Sequence, residues 1–451
     1  MSGRAPWART AALAAVAALL LAACTGTSTT GGSGLDPGSR APVPASPEER
    51  ATGATGPGSS ATAAGRLCEV PKPKPNQDSR VPAEGPTPPV IEQVMRQLAQ
   101  IRGFDYDHPV VAEPVSQAEI GRDVVKYSDQ AFPAGQYARR SVAWDTIGVV
   151  PDGTDLRAAY ENYGSSQVIG YYDTITGTLK FTGSSSPSPL ERITLAHELT
   201  HAIDDQRFGL ERLDRLGAEC RDEDSAAATA LVEGNATFFM LRWARTFLSA
   251  AEQVQVGVEA AQQDTSTAGI PEFIVRLQAF PYEEGMNFVS ALDSRGGLDG
   301  IDQAFENLPA STEQIMHPER YPNDAPTPVN VPDLSAELGD GWKDLDVMTI
   351  GEEWLKIALG LRLDGSQASD AAAGWDGGTY RAWSNGDATA VVLSTVWDTA
   401  DDANEFADAM NAWVAVGDGA AAMVLEPQGT HVTVLFASDD ATLQTLRAAA
   451  T

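Results

Sequence analysis

The chain has 451 residues, of which 43% are hydrophobic, and its formal net charge is -31 at pH 7. This length is sufficient for one large domain or two modest ones, each with its own buried core. The acidic charge argues against nucleic acid as a partner and against attraction to an anionic lipid surface, and it favours a protein that stays soluble outside the cell.

A signal peptide is predicted over residues 1–23. Two arginines precede an unbroken apolar run at 11–21, which is too short for a comfortable transmembrane helix. The run leads into Leu-Ala-Ala-Cys at 21–24, which resembles the lipobox of bacterial lipoproteins, where the cysteine is lipidated. We therefore expect an extracytoplasmic protein anchored to the outer face of the cell membrane through Cys24. An ordinary secretory signal is the alternative.

Residues 24–88 are predicted to be a flexible tether. They are rich in small residues and proline and contain almost no large apolar residues, so they cannot bury enough surface to offset their ordering entropy. With Cys24 lipidated, Cys68 and Cys220 remain as a pair in an oxidising compartment. A disulfide between them is predicted, and two free buried thiols are the alternative.

The first folded domain is predicted over residues 89–345, and it opens with helices. Apolar residues at helical spacing predict helices at 90–102, 117–127 and 136–147. Two β-rich runs at 167–173 and 178–182 are separated by Thr-Ile-Thr-Gly, which predicts a β-hairpin. Further along the domain, helices are expected at 270–280 and 287–292.

An H-E-x-x-H sequence follows the hairpin, formed by His197, Glu198 and His201. Residues four apart lie on one face of a helix, so both imidazoles can reach one metal ion, and Zn²⁺ binds such nitrogen ligands. Glu198 could then take a proton from water at the open coordination position. A chance match on a surface helix is the alternative, although the chain has only five histidines.

The boundaries of this helix are also marked in the sequence. Ser188, Pro189 and Glu191 have the pattern of an N-cap, a first-turn proline and a capping-box glutamate. Arg207 and Gly209 provide a basic last turn and a glycine stop. The H-E-x-x-H motif is therefore predicted to lie inside a helix with defined ends.

A catalytic zinc site usually has three protein ligands and a water. The next long helix, predicted at 224–248, contains Glu233 followed by small residues. Those small residues let the helix pack closely against the H-E-x-x-H helix, with the carboxylate of Glu233 facing the metal. The rival ligands are Asp204, Asp205 and Asp224, and a surface or salt-bridged glutamate is the plain alternative.

These features resemble a gluzincin-type metallopeptidase. More narrowly, the chain is similar to uncharacterised secreted or lipid-anchored proteins with a Gly-(Phe/Tyr)-Tyr-Asp strand, an H-E-L-T-H-A-x-x-D-Q helix and an E-G-x-A-T helix. Here the three motifs lie at 170–173, 197–206 and 233–237. The resemblance implies a zincin-like, mostly helical α+β domain whose β-hairpin precedes the active-site helix, and whose edge strand can pair with an extended peptide or protein substrate.

The resemblance also implies roles for individual residues. It makes Glu198 the general base and assigns one Zn²⁺ per chain to His197, His201 and Glu233. Thermolysin-like enzymes orient a ligand histidine with an aspartate one turn after the ligand glutamate. Here Thr237 stands at that position, and Asp205 is a possible substitute.

Transition-state stabilisation requires a donor aimed at the developing oxyanion. His317 is the leading candidate, because it lies in a dense polar cluster at 311–321, and Tyr321 is the second. The alternative for His317 is a structural histidine that caps a helix.

Residues 346–451 are predicted to form a smaller α+β unit packed on the catalytic part. A helix is expected at 350–363, and a β-β-α-β-β order follows, with strands at 380–383, 389–396, 421–425 and 431–436 and a helix at 401–414. The tryptophans of this unit are expected to pack in its core rather than to form a binding surface.

The sequence thus favours an exported, lipid-anchored zinc-dependent endopeptidase. The first alternative is a catalytically inactive zincin-fold surface lipoprotein that acts in binding or scaffolding. The second is a metal-dependent hydrolase of another substrate, such as a cell-wall peptide cross-link.

Overall fold

The computed structural model describes residues 67, 85 and 87–450, apart from the short segments 132–134, 168–169, 175, 183–185, 214–215, 218, 264–265 and 418–420. The predicted signal peptide, Cys24, Cys68 and most of the predicted tether therefore lie outside the described residues. Within the part of the chain that is described, no helix is both long enough and apolar enough to cross a membrane.

The chain is α+β, as predicted, and the first part is mostly helical. Its elements in order are α1 (Pro89–Arg102), β1 (Val111–Pro114), α2 (Gln117–Ala131), α3 (Gln136–Ile147), α4 (Leu156–Gln167), β2 (Gly170–Asp173), β3 (Thr178–Phe181), α5 (Pro189–Phe208), α6 (Asp222–Phe247), α7 (Ala250–Ala260), α8 (Glu272–Glu306) and α9 (Thr312–Met316).

The second part contains a larger sheet with helices around it. Its elements are α10 (Ser335–Leu338), β4 (Lys343–Thr349), α11 (Glu352–Leu359), α12 (Gly365–Ala372), β5 (Trp375–Asn385), β6 (Ala388–Trp397), α13 (Ala400–Val416), β7 (Ala421–Val424), β8 (His431–Ala437) and α14 (Asp440–Ala450).

The first sheet has the strand order β1-β3-β2. β2 and β3 pair antiparallel and form the predicted hairpin, whereas β1 pairs parallel with β3. The sequence does not predict β1, because this strand is only four residues long and ends in a proline, which gives no readable alternation. β2 is left at the edge of this described sheet and packs against α5.

The helix α5 is enclosed by α1, α6, α7 and the hairpin. Its predicted capping box is present, since Ser188 and Glu191 each bind the other's backbone N–H. Gly209 ends the helix with φ 67°, a left-handed conformation that glycine adopts without strain. Burial on all sides explains why this helix lacks a polar stripe.

The helices α6 and α8 make a very close crossing in the first core. Gly234 of α6 faces Gly285 of α8, and a Cβ atom added at Gly234 would lie 2.0 Å from the backbone carbon of Gly285. Ala230 completes the contact, since a Cβ added at Gly285 would lie 2.0 Å from its carbonyl oxygen. This close approach positions the turn of α6 that carries Glu233.

Gly234→Ala is therefore expected to lower the free energy of unfolding by at least about 3 kcal/mol, because two backbones would have to separate. Urea unfolding measures the change. Gly257→Ala is the matched control, because nothing lies within 4 Å of a Cβ there, and it is expected to stabilise α7 slightly. Equal stabilities for the two variants would contradict this account of the crossing.

The helix α8 corrects the sequence prediction of two helices at 270–280 and 287–292. The first segment of α8 runs from Glu272 through Pro281 to Gly297, where φ of 60° and ψ of -150° are non-helical and kink the chain, and a second segment continues to Glu306. The proline removes one backbone hydrogen bond, and burial of residues such as Phe280 and Phe288 on both sides of it offsets that loss.

The second sheet has the order β4-β5-β6-β8-β7, with all neighbours antiparallel. The predicted β-β-α-β-β order corresponds to β5, β6, α13, β7 and β8, while the edge strand β4 is absent from the prediction. The tryptophans at 375, 383, 397 and 413 are each at most 2% exposed, which confirms that they pack in the core.

A buried ion-pair network joins the two parts. Arg140 of α3 binds Asp222 at the start of α6 at 2.7 Å and Asp346 of β4 at 3.1 Å. The Tyr380 hydroxyl donates to the same Asp346 carboxylate. Removal of one partner from such a buried pair leaves an uncompensated charge, so this network fixes β4 against α6.

Candidate metal centre

His197, His201 and Glu233 meet where α5 crosses α6. The Nε2 atoms of the two histidines are 3.1 Å apart. The Oε2 atom of Glu233 lies 3.1 Å from Nε2 of His197 and 3.4 Å from Nε2 of His201. Three potential ligand atoms from two helices thus converge on one point.

These separations fit a tetrahedral zinc site. Zinc–nitrogen and zinc–oxygen bonds of roughly 2.0 to 2.2 Å in a tetrahedron place neighbouring ligand atoms roughly 3.3 to 3.5 Å apart. The three atoms already lie close to that spacing. Two imidazole nitrogens and one carboxylate oxygen are also the donor set that suits Zn²⁺.

The surroundings of Glu233 support a cation at this point. Its side chain is 2% exposed, and its Oε1 atom has no hydrogen-bond partner among the described residues. Burial opposes ionisation, but the imidazoles of His201 and His197 outweigh it and lower the pKa of Glu233 to about 2. The group is therefore a carboxylate, which is the form that binds a metal ion.

Glu198 follows His197 on α5 and is held by the hairpin. Its Oε2 atom accepts the backbone N–H of Tyr172 at 2.9 Å. Tyr172 lies opposite Leu179 of β3 in the register of the hairpin. Because its backbone N–H is directed at Glu198, this N–H points away from β3, toward the edge of β2 that no strand of the described sheet covers. The edge of the sheet and the carboxylate of Glu198 are therefore neighbours.

A second layer of polar groups lies behind the histidines. Asp204 binds Nε of Arg102 at 2.9 Å, accepts a hydrogen bond from the side-chain amide of Asn235, and interacts electrostatically with His201. Arg102 also pairs with Asp302. Asp204 is thus the carboxylate that ties the turn of α5 carrying His201 to α1 and α6.

The other rival ligands have different partners. Asp205 accepts the Tyr172 hydroxyl at 3.1 Å and the Leu210 N–H at 2.8 Å, so it holds the hairpin and the end of α5. Asp224 pairs with Arg221 at the surface. The hydroxyl of Thr237 is buried without a hydrogen-bond partner among the described residues.

The structure does not place His317 in the cluster of His197, His201 and Glu233. Nε2 of His317 is 2.9 Å from the Glu352 carboxylate, and this hydrogen bond raises the pKa of the imidazole. Its predicted oxyanion role remains a prediction. Tyr321, the second candidate, donates its hydroxyl to the Asn307 carbonyl oxygen at 2.6 Å.

Sequence reasoning missed Tyr282 of α8. Its ring is 3% exposed and lies over the His197 ring with centroids 6.1 Å apart and an interplanar angle of 28°. Position 282 directly follows Pro281, near which the predicted helix stops, so no pattern points to it. Cys220, the one described member of the predicted disulfide, is half-buried just before α6, and its pairing with Cys68 remains a prediction.

Buried carboxyl groups gather beside the N-terminal end of α6. Glu223 accepts the Thr312 hydroxyl at 2.7 Å and lies near Asp224, Glu352 and Glu353. Burial is the largest cause of the rise in the pKa of Glu223 to about 7, and the neighbouring negative charges add to it. Because the pKa of Glu223 is higher in the folded than in the unfolded state, the folded state holds this proton longer. The free energy of unfolding therefore falls as pH rises through about 7.

Glu223→Gln is therefore expected to stabilise the protein more at about pH 8 than at about pH 5, with a difference on the order of 1 to 3 kcal/mol. The amide keeps an acceptor for Thr312 and carries no charge. Urea unfolding at both pH values, with the exposed Glu405→Gln as control, measures the effect. If Glu223→Gln changed the free energy of unfolding equally at both pH values, ionisation of Glu223 would not destabilise the folded protein.

Comparisons with known proteins concern the second part of the chain. A family model described as a domain of unknown function (DUF8575) matches residues 341–447. The match begins just before β4 and ends within α14. It therefore covers the second sheet and does not include His197, His201 or Glu233. No curated protein matches the chain. No solved structure matches it either.

Proposed function

We propose that the chain is an exported, lipid-anchored zinc-dependent endopeptidase. The observation that carries this proposal is the convergence of His197, His201 and Glu233 at separations of 3.1 to 3.4 Å, with Glu198 adjacent. The export signal and the anchor at Cys24 rest on the sequence alone.

Zn²⁺ bound at this point would supply a Lewis acid that polarises the scissile carbonyl group and acidifies water. Glu198 would take the proton from the attacking water and then pass it to the leaving amine. The Tyr172 N–H holds the Glu198 carboxylate in place for both transfers. No side chain would form a covalent intermediate with the substrate.

The outer edge of β2 in the described sheet favours an extended peptide as the substrate. The Tyr172 N–H at that edge already reaches the proposed general base, so a peptide paired to β2 would pass along the metal centre. Pairing of a peptide with a sheet edge uses main-chain hydrogen bonds and therefore accepts many sequences. This arrangement suits an endopeptidase that acts on unstructured segments.

A second candidate is an inactive zincin-fold lipoprotein that binds or scaffolds. Two observations favour it. The three metal-binding side chains are each at most 8% exposed, which leaves little room for a substrate in this conformation. His317, the predicted oxyanion donor, is bound by the Glu352 carboxylate and lies outside the cluster of His197, His201 and Glu233.

Proteolysis of an unfolded protein separates these candidates. The protein comprising residues 25–451, reconstituted with zinc, is expected to cleave fluorescently labelled casein. Cleavage is expected to stop when a chelator removes the metal and to resume when zinc is returned. Zinc binding without cleavage of casein or of any mixed peptide library would instead support the inactive lipoprotein.

A further inference from the structure

A cavity of about 140 Å³ lies where α3, α4, α6 and α8 meet β4 and α11, and two of its walls continue along the chain toward the candidate metal centre. Thr229, which lines it, stands one turn before Glu233 on α6. Phe280 and Pro281 line it from α8, directly before the Tyr282 ring that lies over His197. A chain that reaches the metal centre could therefore place one side chain in this cavity.

The cavity is lined by residues with buried polar atoms that have no partner in the described part of the chain. These atoms are Oε1 of Gln136, Nε1 of Trp144 and Oδ2 of Asp222. The three residues are 3%, 2% and 9% exposed. Because these atoms have almost no accessible surface, they lie behind the wall of the cavity and do not face a ligand in it.

Carboxyl groups outnumber cationic groups in the wall of the cavity. Asp222 and Glu353 contribute carboxyl groups to its wall. Among the described residues of that wall Arg140 is the one cation, and it is already bound by Asp222 and Asp346. One further positive charge would balance the excess of carboxyl groups, whereas an anion would meet them in a buried site.

The remaining walls suit a long aliphatic stem. Tyr137 and Tyr160 pack against each other with ring centroids 5.8 Å apart, and Leu156 and Leu277 lie beside them. Aromatic faces and aliphatic groups accept methylene groups and also attract a cation held near the rings. Apolar walls with a carboxyl group are the combination that a lysine or arginine side chain requires.

We propose that this cavity binds a lysine or arginine side chain of a peptide that reaches the metal centre. The carboxyl group of Glu353 accepts a hydrogen bond from the cationic head. The catalytic consequence, cleavage beside a basic residue, rests on the proposed function, whereas the binding itself does not.

The second part of the chain takes part in this cavity, because Met348 and Glu353 belong to it. Both residues lie in the region matched by DUF8575. This gives that region a role in selecting the ligand, which its position away from the metal cluster does not otherwise suggest.

Binding is tested on residues 25–451 carrying Glu198→Gln, with and without zinc. The probes are N-acetyl-lysine amide and the neutral N-acetyl-norleucine amide. Their binding is monitored by fluorine NMR of protein labelled with 5-fluorotryptophan, and the Trp144 signal is assigned from a Trp144→Phe variant. The lysine probe is expected to shift that signal saturably and to bind at least about tenfold more tightly than the norleucine probe. Glu353→Gln is expected to remove most of that preference, and the exposed Glu405→Gln is expected to keep it.

Equal binding of the two probes, or no saturable shift at Trp144, would overturn the proposal. The metal-free sample keeps this test independent of catalysis. If the lysine probe binds but the zinc-loaded wild-type chain cleaves no peptide, the proposed peptidase activity is wrong and the proposed lysine site is retained. If the chain cleaves peptides but binds both probes equally, the lysine site is wrong and the peptidase activity is retained.

Discussion

Glu198→Gln is expected to lower kcat/KM for peptide hydrolysis by about 10²- to 10⁴-fold while zinc stays bound. The amide still accepts the Tyr172 N–H, so the helix and the hairpin keep their contact. It cannot take a proton from water, however, and that step is the one assigned to this side chain. Initial rates on a quenched fluorescent peptide, together with the zinc content of the same sample, measure both parts of the expectation.

The exposed Glu405→Gln makes the same chemical change far from the metal cluster and is expected to leave kcat/KM unchanged. A Glu198→Gln variant that hydrolyses peptide at the wild-type rate would remove Glu198 as general base. A variant that lost zinc as well would instead indicate that Glu198 acts on the ligands and not on water.

Glu233→Ala is expected to weaken zinc binding by more than about 100-fold. It removes one of the three proposed ligands, and loss of an outer partner alone typically costs about 10- to 100-fold. Competition against a chelator of known affinity measures the change. The rival carboxylates give graded controls, because Asp204→Asn is expected to weaken binding by about 10- to 100-fold and Asp224→Asn to have no effect.

The order of the zinc affinities of these variants shows which carboxylate is the third zinc ligand. A loss in Asp204→Asn larger than that in Glu233→Ala would make Asp204 the third ligand, even though Arg102 and Asn235 bind it in this structure. Unchanged affinity in all three variants would show that zinc binds elsewhere on the chain. Circular dichroism of each variant separates loss of a ligand from loss of the fold.

Local signals explain what can be predicted correctly from the sequence. The capping box of Ser188 and Glu191 and the glycine stop at 209 are contacts within a few residues, so the ends of α5 are readable. The four-residue spacing of His197 and His201 likewise fixes both on one helix face. Glu233 is predicted correctly as a carboxylate on the next helix, but the small residue beside it, Gly234, packs against Gly285 of α8 and not against α5 as predicted.

Tertiary contacts explain what sequence reasoning misses. β1 and β4 are edge strands that pair with distant segments of the chain. β1 is only four residues long, and the polar/apolar alternation of β4 is limited to residues 344–347 and crosses a bulge. The proline at 281 suggests a helix end, whereas packing carries α8 through it. The carboxyl cluster of Glu223, Glu352 and Glu353 is assembled from α6 and α11, so no single stretch of sequence reveals it.

The zinc K-edge absorption spectrum of the reconstituted wild-type chain tests the central claim most directly. We expect one zinc per chain, bound by two imidazole nitrogens, one carboxylate oxygen and one water oxygen at about 2.0 to 2.2 Å. A chain that binds no zinc after reconstitution, or a spectrum of six oxygen ligands without imidazole, would contradict it.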